Sequence, residues 1–597
     1  MEGISGAIVI LDFGGQYAHL IGSRIRRFGY HSLIAPSNTP ASELRSAAGI
    51  ILSGGPQSVY DKGSPTADPA IFDIGIPVLG LCYGHQWIAH ILGGKVESAN
   101  VKEYGPTDLS VVDPSMPLLA SCGKGFRAWM SHGDEVTKLP EGFTISASSK
   151  DCLIAAMSNP DQRIYGIQCH VEVTHTEHGM DMLKAFVDLC DAPAWSVGTY
   201  KDRLVQQIKE TVGDRKVFML VSGGVDSTVA YTLLHQVLGT DRVRGLLIDT
   251  GLLRKDEAKG ILEAFKPLGM HLDVEDASEE FLSNLKGVTD PEEKRAIIGK
   301  TFLDVQKRVS ESSNLGIEDG WMLGQGTIYP DTIETGGTVH AATIKTHHNR
   351  IPIIEEMIKK GLVIEPLKDL YKDEVRELGE SLGLPHALVH RQPFPGPGLG
   401  VRLLCAVEAS IPAREEVASD QWSVASMVLP VRSVGVQGDG RTYRNPLVLF
   451  STDPYSIVPE NLQQATSIPN ASKTINRVLQ CVSHASVDSF QFTPTLITRE
   501  TVSILQEADA IVHDAVSKAG ILEQIWQFPV VLLPVGVHGG RSIVLRPIDS
   551  VDAMTASPFI LPSAVMKSIV DRLNTIKGID CVFFDLTCKP PGTIEWE

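Results

Sequence analysis

A cysteine, a histidine and a glutamate occupy positions from which they could act together on an amide. Cys82 follows the apolar run Pro77–Leu81 and precedes a helical pattern. A strand-to-helix turn there would lift the thiol above a sheet, at a helix N-terminus that favours a thiolate. His170 ends the predicted strand Arg163–Cys169, and Glu172 would lie on the same face and orient the imidazole. The pattern predicts attack of a thiolate on an amide, with the imidazole protonating the departing ammonia.

The same chemistry needs hydrogen-bond donors for an oxyanion. Ser53–Pro56, with the sequence Ser-Gly-Gly-Pro, is a glycine turn after a predicted strand and is suited to presenting backbone amides. The alternative for Cys82 is a buried structural thiol, the common fate of a free cysteine, and the whole constellation argues against it. His132 and His175 are interpreted as polar surface or loop histidines.

The stretch Leu81–Gln86 (Leu-Cys-Tyr-Gly-His-Gln), taken with His170 and Glu172, resembles the triad class of glutamine amidotransferases. The resemblance covers residues 8 to about 190. It implies that Cys82 is the nucleophile, His170 the general base and acid, and Glu172 its orienting partner. One residue departs from the family, Val171 standing where a proline is usual, and we expect activity to survive because valine also adopts an extended conformation.

The amidotransferase resemblance also implies a binding pocket. Amides near Gly55 and Tyr83 would form the oxyanion hole, and Gln86 would contribute to the pocket for glutamine. Glutamine is therefore the first expected substrate.

A second glycine turn joins the predicted strand Lys216–Val221 to the predicted helix Val225–Leu238. Its hydroxyls, its exposed amides and the positive end of the helix make a phosphate cradle. The G-x-x-x-x-G-K-[ST] spacing of a Walker loop is absent. The string that forms the turn is Ser222-Gly223-Gly224-Val225-Asp226-Ser227.

This string resembles the loop of the ATP pyrophosphatases, which implies cleavage of ATP to AMP and pyrophosphate. Asp249, ending the predicted strand Val243–Asp249, matches the part of that family that contacts adenosine. Gln325 and Lys345 fall in two further matching segments, and Lys345 is expected to neutralise phosphate charge. Asp226 is expected to help hold the Mg²⁺ that accompanies ATP.

The end of the chain indicates the acceptor, that is, the molecule that would be adenylated by ATP and then aminated by the ammonia from glutamine. Asp585–Glu597 closely resembles the end of the GMP synthases, Pro393–Leu399 resembles their mobile lid, and Val434–Tyr443 resembles another shared segment. By composition alone, Gln392–Gly400 is either a linker or an ordered functional loop. The resemblance implies that xanthosine monophosphate (XMP) is the acceptor and that five residues contact it. The alternative is that these five are ordinary polar residues of the surface. These are Arg295, Asp439, Gln527, Lys589 and Glu595.

The elements around these motifs predict an α/β protein of three domains. Residues 1–192 are expected to form a flavodoxin-like amidotransferase domain and residues 199–400 a Rossmann-like ATP pyrophosphatase domain, each with a parallel sheet. Residues 401–597 are expected to form an α+β region that binds XMP or dimerises. Within it, Leu429–Val431 and the following residues to Arg441 resemble Leu533–Val535 and the residues to Arg541, which predicts an internal repeat and leaves monomer or homodimer open.

Composition narrows the partners and the compartment. The 597 residues carry a net charge of −18, which argues against a nucleic-acid surface. No apolar run approaches the length of a membrane span, and no signal peptide is recognised. Nine scattered cysteines without a Cys-x-x-Cys pair argue against disulfides and against a zinc site, so a cytoplasmic location is expected.

Two other functions fit parts of the pattern. An enzyme with the same ATP loop could use a different acceptor, as in the synthesis of asparagine or NAD or the thiolation of tRNA. A non-catalytic protein that keeps the fold would have lost its nucleophile or its loop, and Cys82, His170, Glu172 and the loop are all present.

Overall fold

The computed structural model describes residues 4–15, 17–173, 175–313, 315, 320–331, 357–410, 425–437, 440–550 and 555–597. Contacts divide the chain into two compact units. Unit 1 comprises Met1–Gln207, Thr327–Ile353 and Leu367–Glu374, and unit 2 comprises Ile208–Gly326, Ile354–Pro366 and Val375–Glu597. The domain limits at 192, 199 and 400 stay predictions. Of the helices in the described ranges, none combines the length and the apolar character needed to cross a membrane.

Unit 1 is built on a nine-stranded sheet with the order β2-β1-β3-β4-β9-β8-β7-β5-β6. Its first five strands are parallel, as predicted, and the other four extend the sheet in antiparallel fashion. The strands are β1 (Ile8–Asp12), β2 (Ser32–Pro36), β3 (Gly49–Leu52), β4 (Val78–Leu81), β5 (Lys95–Val111), β6 (Gly125–Lys138), β7 (Thr144–Ser148), β8 (Ala156–Asn159) and β9 (Ile164–Ile167). The helices of this part of the chain are Ala18–Arg27, Ala41–Leu44, Tyr83–Ile91, Gly179–Leu189 and Val197–Val212.

Alternating side chains of this sheet enter two separate cores. In β1, Ile8 and Ile10 pack into one core, whereas Val9 and Leu11 pack into the other. Both faces of the parallel strands are therefore buried, which explains why their sequences are apolar without interruption.

The first sheet of unit 2 is parallel, with the order β12-β11-β10-β13-β14. Its strands are β10 (Lys216–Leu220), β11 (Val243–Asp249), β12 (Leu272–Asp276), β13 (Trp321–Gly324) and β14 (Val363–Ile364). The helices along this stretch are Val225–Leu238, Glu257–Phe265, Ser278–Asn284, Pro291–Ser312, Lys372–Ser381 and His386–Val389. The predicted helix Val225–Leu238 and strand Val243–Asp249 are confirmed at both ends.

The rest of unit 2 is α+β, as predicted, around a seven-stranded sheet and two short strand pairs. Its strands are β15 (Ser426–Val428), β16 (Ser433–Gln437), β17 (Gly440–Leu449), β18 (Ile475–Cys481), β19 (Gln491–Phe492), β20 (Val530–Leu533), β21 (Val535–Gly536), β22 (Arg541–Leu545), β23 (Ile548–Asp549), β24 (Ser557–Pro558) and β25 (Ile579–Asp585). Its helices are Pro459–Ala471, Arg499–Lys518 and Ser563–Leu573.

The predicted internal repeat appears in the order of the seven-stranded sheet. Strands β15, β17 and β18, with the helix Pro459–Ala471, form one copy, and β20, β22 and β25, with the helix Ser563–Leu573, form the other. In each copy the first two strands are antiparallel and the last two parallel. The last strands, β18 and β25, pair antiparallel at the centre. The copies are thus related by an approximate two-fold axis between these strands.

The register corrects one detail of the predicted repeat. Asn445 pairs with Ile475 in the first copy and Arg541 with Ile579 in the second, so the structure aligns Arg541 with Asn445 and not with Arg441. The first copy has a longer hairpin, because β16 pairs with the first half of β17. That insertion displaces Arg441 from the equivalent position.

Candidate active site

Cys82 is placed by a sharp turn between β4 and the helix Tyr83–Ile91. Its φ of 51° and ψ of −107° are rare for a residue with a side chain, and strain of this kind is often found at functional sites. There is little space beside this turn, because the backbone of Gly84 lies against that of Leu52 at the end of β3. A Cβ on Gly84 would clash with the carbonyl oxygen of Leu52. The predicted strand-to-helix elbow is present, with the sulfur at the N-terminal end of the helix.

His170 and Glu172 form the predicted pair. His170 Nδ1 lies 2.8 Å from Glu172 Oε1, and both side chains are buried. Burial lowers the pKa of His170, but the charge of Glu172 and the sulfur of Cys82 outweigh it and raise that pKa to about 11. An imidazolium beside the sulfur is the environment that stabilises a thiolate. Val171, in place of the usual proline, leaves this hydrogen bond intact.

The glycine turn Ser53–Pro56 packs against the nucleophile. A Cβ on Gly54 would lie 3.4 Å from His170 Cε1 and 3.7 Å from Cys82 Cβ. A Cβ on Gly55 would lie 3.2 Å from the Cγ of Tyr83. The turn therefore lies beside Cys82 and His170 at Gly54, and the role of the amides near Gly55 and Tyr83 as an oxyanion hole stays a prediction.

Gln86 lies in the same site but is already engaged. Its Nε2 donates to the carbonyl oxygen of Asp134 at 2.8 Å and to Oε1 of Gln168 at 3.1 Å. Gln168, which the sequence reading missed, donates from Nε2 to the sulfur of Cys82 at 3.6 Å. Its place in the predicted strand Arg163–Cys169, two residues before His170, was the available signal. Gln86 is thus linked to the sulfur of Cys82 through Gln168, and its contribution to a pocket for glutamine stays a prediction.

The interpretation of His132 as a surface or loop histidine is wrong. His132 lies on β6 and is 4% exposed. Its Nε2 is 3.0 Å from Glu103 Oε2, and its Nδ1 is 2.9 Å from the carbonyl oxygen of Asp134. The alternation of buried and exposed residues along β6 turns this side chain inward, beside the segment that binds Gln86. His175 packs its ring against Trp129, with the centroids 4.9 Å apart.

The second predicted site lies at the end of β10. Ser222 Oγ is 3.1 Å from Ser227 Oγ and accepts a hydrogen bond from the amide of Gly224 at 3.3 Å. Val225 and Asp226 open the helix Val225–Leu238, so its positive end faces the turn. Gly223 has a φ of 76°, a left-handed conformation that favours glycine. The arrangement has the hydroxyls, the left-handed glycine and the helix N-terminus that the sequence predicts, and its binding of phosphate stays a prediction.

Two of the further ATP residues can be placed. Asp249 ends β11, which neighbours β10, and its Oδ1 accepts from the amide of Gly251 at 2.9 Å. Gln325 follows β13 on the other side of β10, and its backbone amide donates to the carbonyl oxygen of Ile364 at 2.9 Å. Because β10, β11 and β13 are parallel, their carboxyl ends, and the residues that follow them, lie at one edge of the sheet. Lys345 lies outside the described residues.

Two of the residues assigned to XMP contact each other near the end of the chain, and a third contacts Glu597. Gln527 Nε2 donates to Glu595 Oε1 at 3.3 Å, and Arg295 donates to the main-chain oxygen of Glu597. The backbone amide of Lys589 donates to the carbonyl oxygen of Ala556 at 2.7 Å. Asp439 lies outside the described residues. Gln527 and Glu595 therefore belong to one hydrogen-bond network, Arg295 bonds the nearby Glu597, and contact of these residues with XMP stays a prediction.

Arg402 belongs to this network and was missed by the sequence reading. It is fully buried and donates two hydrogen bonds to the Glu595 carboxylate, from Nε to Oε2 at 3.1 Å and from Nη2 to Oε1 at 3.0 Å. Its guanidinium also lies 5.1 Å from the ring centroid of Phe394 in the proline-rich run. Gln392, in the same run, donates to the carbonyl of Ile525 at 3.0 Å. Gln392–Gly400 is thus an ordered loop.

These two sites define the class of protein. A buried cysteine–histidine–glutamate triad at the edge of a parallel sheet is the site of a triad glutamine amidotransferase, and the Ser222–Ser227 cradle is that of an ATP pyrophosphatase. Family models agree: "Glutamine amidotransferase class-I" matches residues 9–190, "NAD synthase" residues 197–297, and "GMP synthase C terminal domain" residues 514–596.

Relatives match over nearly the whole chain. A probable GMP synthase (glutamine-hydrolyzing) of Leptospira interrogans serovar copenhageni is 47% identical, covering 99% of both chains. GMP synthases (glutamine-hydrolyzing) of Lactobacillus acidophilus and Limosilactobacillus reuteri are 41% and 38% identical, each covering 99% of this chain and 98% of the relative. The chain belongs to the glutamine-hydrolysing GMP synthases.

Proposed function

We propose that this chain hydrolyses glutamine at Cys82, adenylates XMP with ATP at the second site, and aminates the adenylate to GMP. The products besides GMP are glutamate, AMP and pyrophosphate. The observation that carries the proposal is the presence in one chain of a formed triad and a formed pyrophosphate loop, followed by a C-terminal segment in which Gln527 and Arg402 contact Glu595.

The first half-reaction follows from the triad. The thiolate of Cys82 attacks the side-chain carbonyl carbon of glutamine, and the amides near Gly55 and Tyr83 stabilise the oxyanion. His170 gives its proton to the departing nitrogen, so the C–N bond breaks with release of ammonia. Water, deprotonated by His170, then hydrolyses the thioester to glutamate. Glu172 holds the ring in place through both steps and stabilises its protonated form.

The second half-reaction activates an oxygen that leaves poorly. The loop from Ser222 to Ser227 holds the β- and γ-phosphates, and the XMP oxygen attacks the α-phosphorus, which releases pyrophosphate. Ammonia then adds to the purine carbon and AMP departs. Ser222, Ser227 and Asp226 offer only oxygen donors, the set that Mg²⁺ prefers, so Asp226 fits the expected role of metal ligand. When bound, Mg²⁺ neutralises phosphate charge.

The acceptor pocket is proposed around the end of the chain. Arg402 holds the Glu595 carboxylate with two bonds, which leaves that group in a defined orientation for donors on a purine ring. Gln527, Arg295, Lys589 and Asp439 complete the proposed set. We also place the protein in the cytosol, where its nine free cysteines would remain reduced.

One assay tests the whole proposal. XMP should trigger release of AMP and pyrophosphate with glutamine, and also with ammonium in its place. Aspartate and nicotinate adenine dinucleotide are the comparison acceptors, because they serve enzymes with related loops. If AMP were released with either of these acceptors and not with XMP, the assignment of XMP as acceptor would be rejected. The assignments of the glutaminase triad and of the ATP loop would stand.

A further inference from the structure

Two cysteines and a histidine meet at the centre of the C-terminal sheet, where neither proposed site reaches. Cys481 ends β18 and Cys581 lies on β25, and their sulfurs are 3.8 Å apart. His484 follows three residues after Cys481. One potential ligand atom from each of the three residues lies within 4.8 Å of the others. By spacing alone the scattered cysteines argue against a metal site, but the fold joins residues that are about one hundred positions apart.

The distance between the sulfurs suits a soft divalent cation. A zinc ion bonded to two thiolates at about 2.3 Å with a tetrahedral angle requires sulfurs about 3.8 Å apart. A disulfide, in contrast, requires the sulfurs to approach to about 2.05 Å. The sulfurs are therefore too far apart for a covalent pair, and their separation fits two ligands of one ion as well as an S–H···S hydrogen bond.

The surroundings of the sulfurs are polar on one side. Ser483 Oγ lies 2.7 Å from His484 Nδ1 and 3.6 Å from Cys581 Sγ, and it accepts from the amide of Val582 at 2.9 Å. Both sulfurs are fully buried, whereas Ser483 and His484 are partly exposed. The Ser483 hydroxyl caps the amide of Val582, and His484 adds a potential ligand atom near the two sulfurs. The half-exposed side also gives an ion a route from solvent.

The repeat supplies an independent comparison. By the sheet register, Arg477 of the first copy is equivalent to Cys581 of the second, and Asp585 is equivalent to Cys481. Arg477 and Asp585 form a fully buried ion pair of 2.9 Å that joins the two copies. The hydroxyls correspond too, because the amide of Val478 donates to Thr587 Oγ1 at 2.9 Å. One end of the central strand pair is thus joined by charges, and the other presents two thiols.

We propose that Cys481, Cys581 and His484 bind a zinc-like divalent cation that links the two copies of the repeat. Binding converts two thiols to thiolates and releases two protons, while the imidazole binds as its neutral form. The fourth position opens to the half-exposed side and takes water or the Ser483 hydroxyl. The ion does for this end of β18 and β25 what the Arg477–Asp585 pair does for the other.

Metal binding is measured on the full-length Cys82→Ala protein, which removes the catalytic thiol as a competing ligand. After reduction and chelation, Zn²⁺ is titrated against a chromophoric chelator, without nucleotides. We expect one tight equivalent per chain, weakened by about 100-fold or more in Cys581→Ser and in His484→Gln. Cys190→Ser, which alters a buried thiol of unit 1, is the matched control and should bind like the parent.

Two further readouts separate a metal site from a loss of folding. Co²⁺ should give the intense sulfur-to-metal absorption of a thiolate complex, absent in Cys481→Ser. Zn²⁺ should raise the melting temperature of the parent but not of His484→Gln, whose side chain is only half-buried and whose metal-free melting should match the parent. Failure of the parent to bind Zn²⁺, equal binding by all variants, or a Cys481–Cys581 disulfide in freshly isolated protein would each overturn the proposal.

Discussion

The side-chain amide of Gln168 donates a hydrogen bond of 3.6 Å to the sulfur of Cys82. The same side chain accepts from Nε2 of Gln86 at 3.1 Å, and Gln86 is anchored in turn on the carbonyl of Asp134. A buried chain of amides therefore presents an N–H to the nucleophile. Such a donor stabilises a thiolate more than a thiol.

Replacing Gln168 by glutamate should impair the glutaminase. The carboxylate has no proton to donate and puts a negative charge beside the thiolate, which costs about 1.5–3 kcal/mol, or about 10- to 150-fold in rate. Glutamine hydrolysis is compared with synthesis from ammonium, which should be unchanged. Gln162→Glu, an exposed glutamine of the same unit, is the control. Equal hydrolysis by both variants would show that the Gln168 amide does not act on Cys82.

Replacing Cys82 and Ser222 should separate the two half-reactions. Cys82→Ala should abolish synthesis from glutamine and retain synthesis from ammonium, because the thiolate serves only the amide. Ser222→Ala should reduce synthesis from both nitrogen sources by a similar factor, since both need the adenylate; losing a contact to a charged phosphate costs about 1.5–3 kcal/mol. Loss of ammonium-dependent turnover in a folded Cys82→Ala protein would contradict the assignment of Cys82.

Glu172→Gln should change how the reactivity of Cys82 depends on pH. Burial lowers the pKa of His170, and the charge of Glu172 with the Cys82 sulfur raises it to about 11, so the imidazolium persists through neutral pH. While His170 keeps its proton, the imidazolium should favour alkylation of Cys82 between about pH 7 and about pH 9. Without the Glu172 charge the pKa of His170 falls, so the imidazolium should be lost within this range and the pH dependence of alkylation should differ from that of the parent.

The alkylation rate is followed by mass spectrometry of the Cys82 peptide. Cys588, which is partly exposed, provides an internal comparison in the same protein. A parallel pH dependence in the parent and in Glu172→Gln would mean that Glu172 does not set the protonation of His170.

Arg402→Lys should weaken XMP binding, if the proposed acceptor pocket holds. A lysine cannot reproduce the two bonds from Arg402 to Glu595, so the carboxylate loses its fixed orientation. We expect KM for XMP to rise by about 10-fold, with KM for ATP little changed. Arg499→Lys, at an exposed pair with Glu279, is the matched control. An unchanged KM for XMP in a folded variant would remove Arg402 from the pocket.

The repeat predicts a monomer. A tethered second copy covers one copy along β18 and β25, on a surface that an identical chain would otherwise have to cover. Light scattering over a concentration series should give the mass of one chain, 64.7 kDa. A dimer that persists to nanomolar concentration and uses the surface covered by the first copy would rule out the internal pseudo-dimer.

The sequence by itself determined the parts whose causes are local. The elbow at Cys82 follows from an apolar strand, a helix and small residues within a few positions. His170 and Glu172 share a face because they are two residues apart. The helix Val225–Leu238 begins directly after its phosphate loop, and both of its ends could be predicted because the glycines Gly224 and Gly239 flank it.

Only the tertiary structure decided which distant polar groups meet. Gln168 lies 86 residues from Cys82, and Arg402 lies 193 residues from Glu595. His132 turned inward because an antiparallel strand alternates its faces and because Glu103 is there to pair with it. Cys481 and Cys581 became neighbours through the pairing of β18 with β25. A buried polar side chain is tolerated only where the fold supplies a partner, and that partner is set by packing across the sheet, not by spacing along the chain.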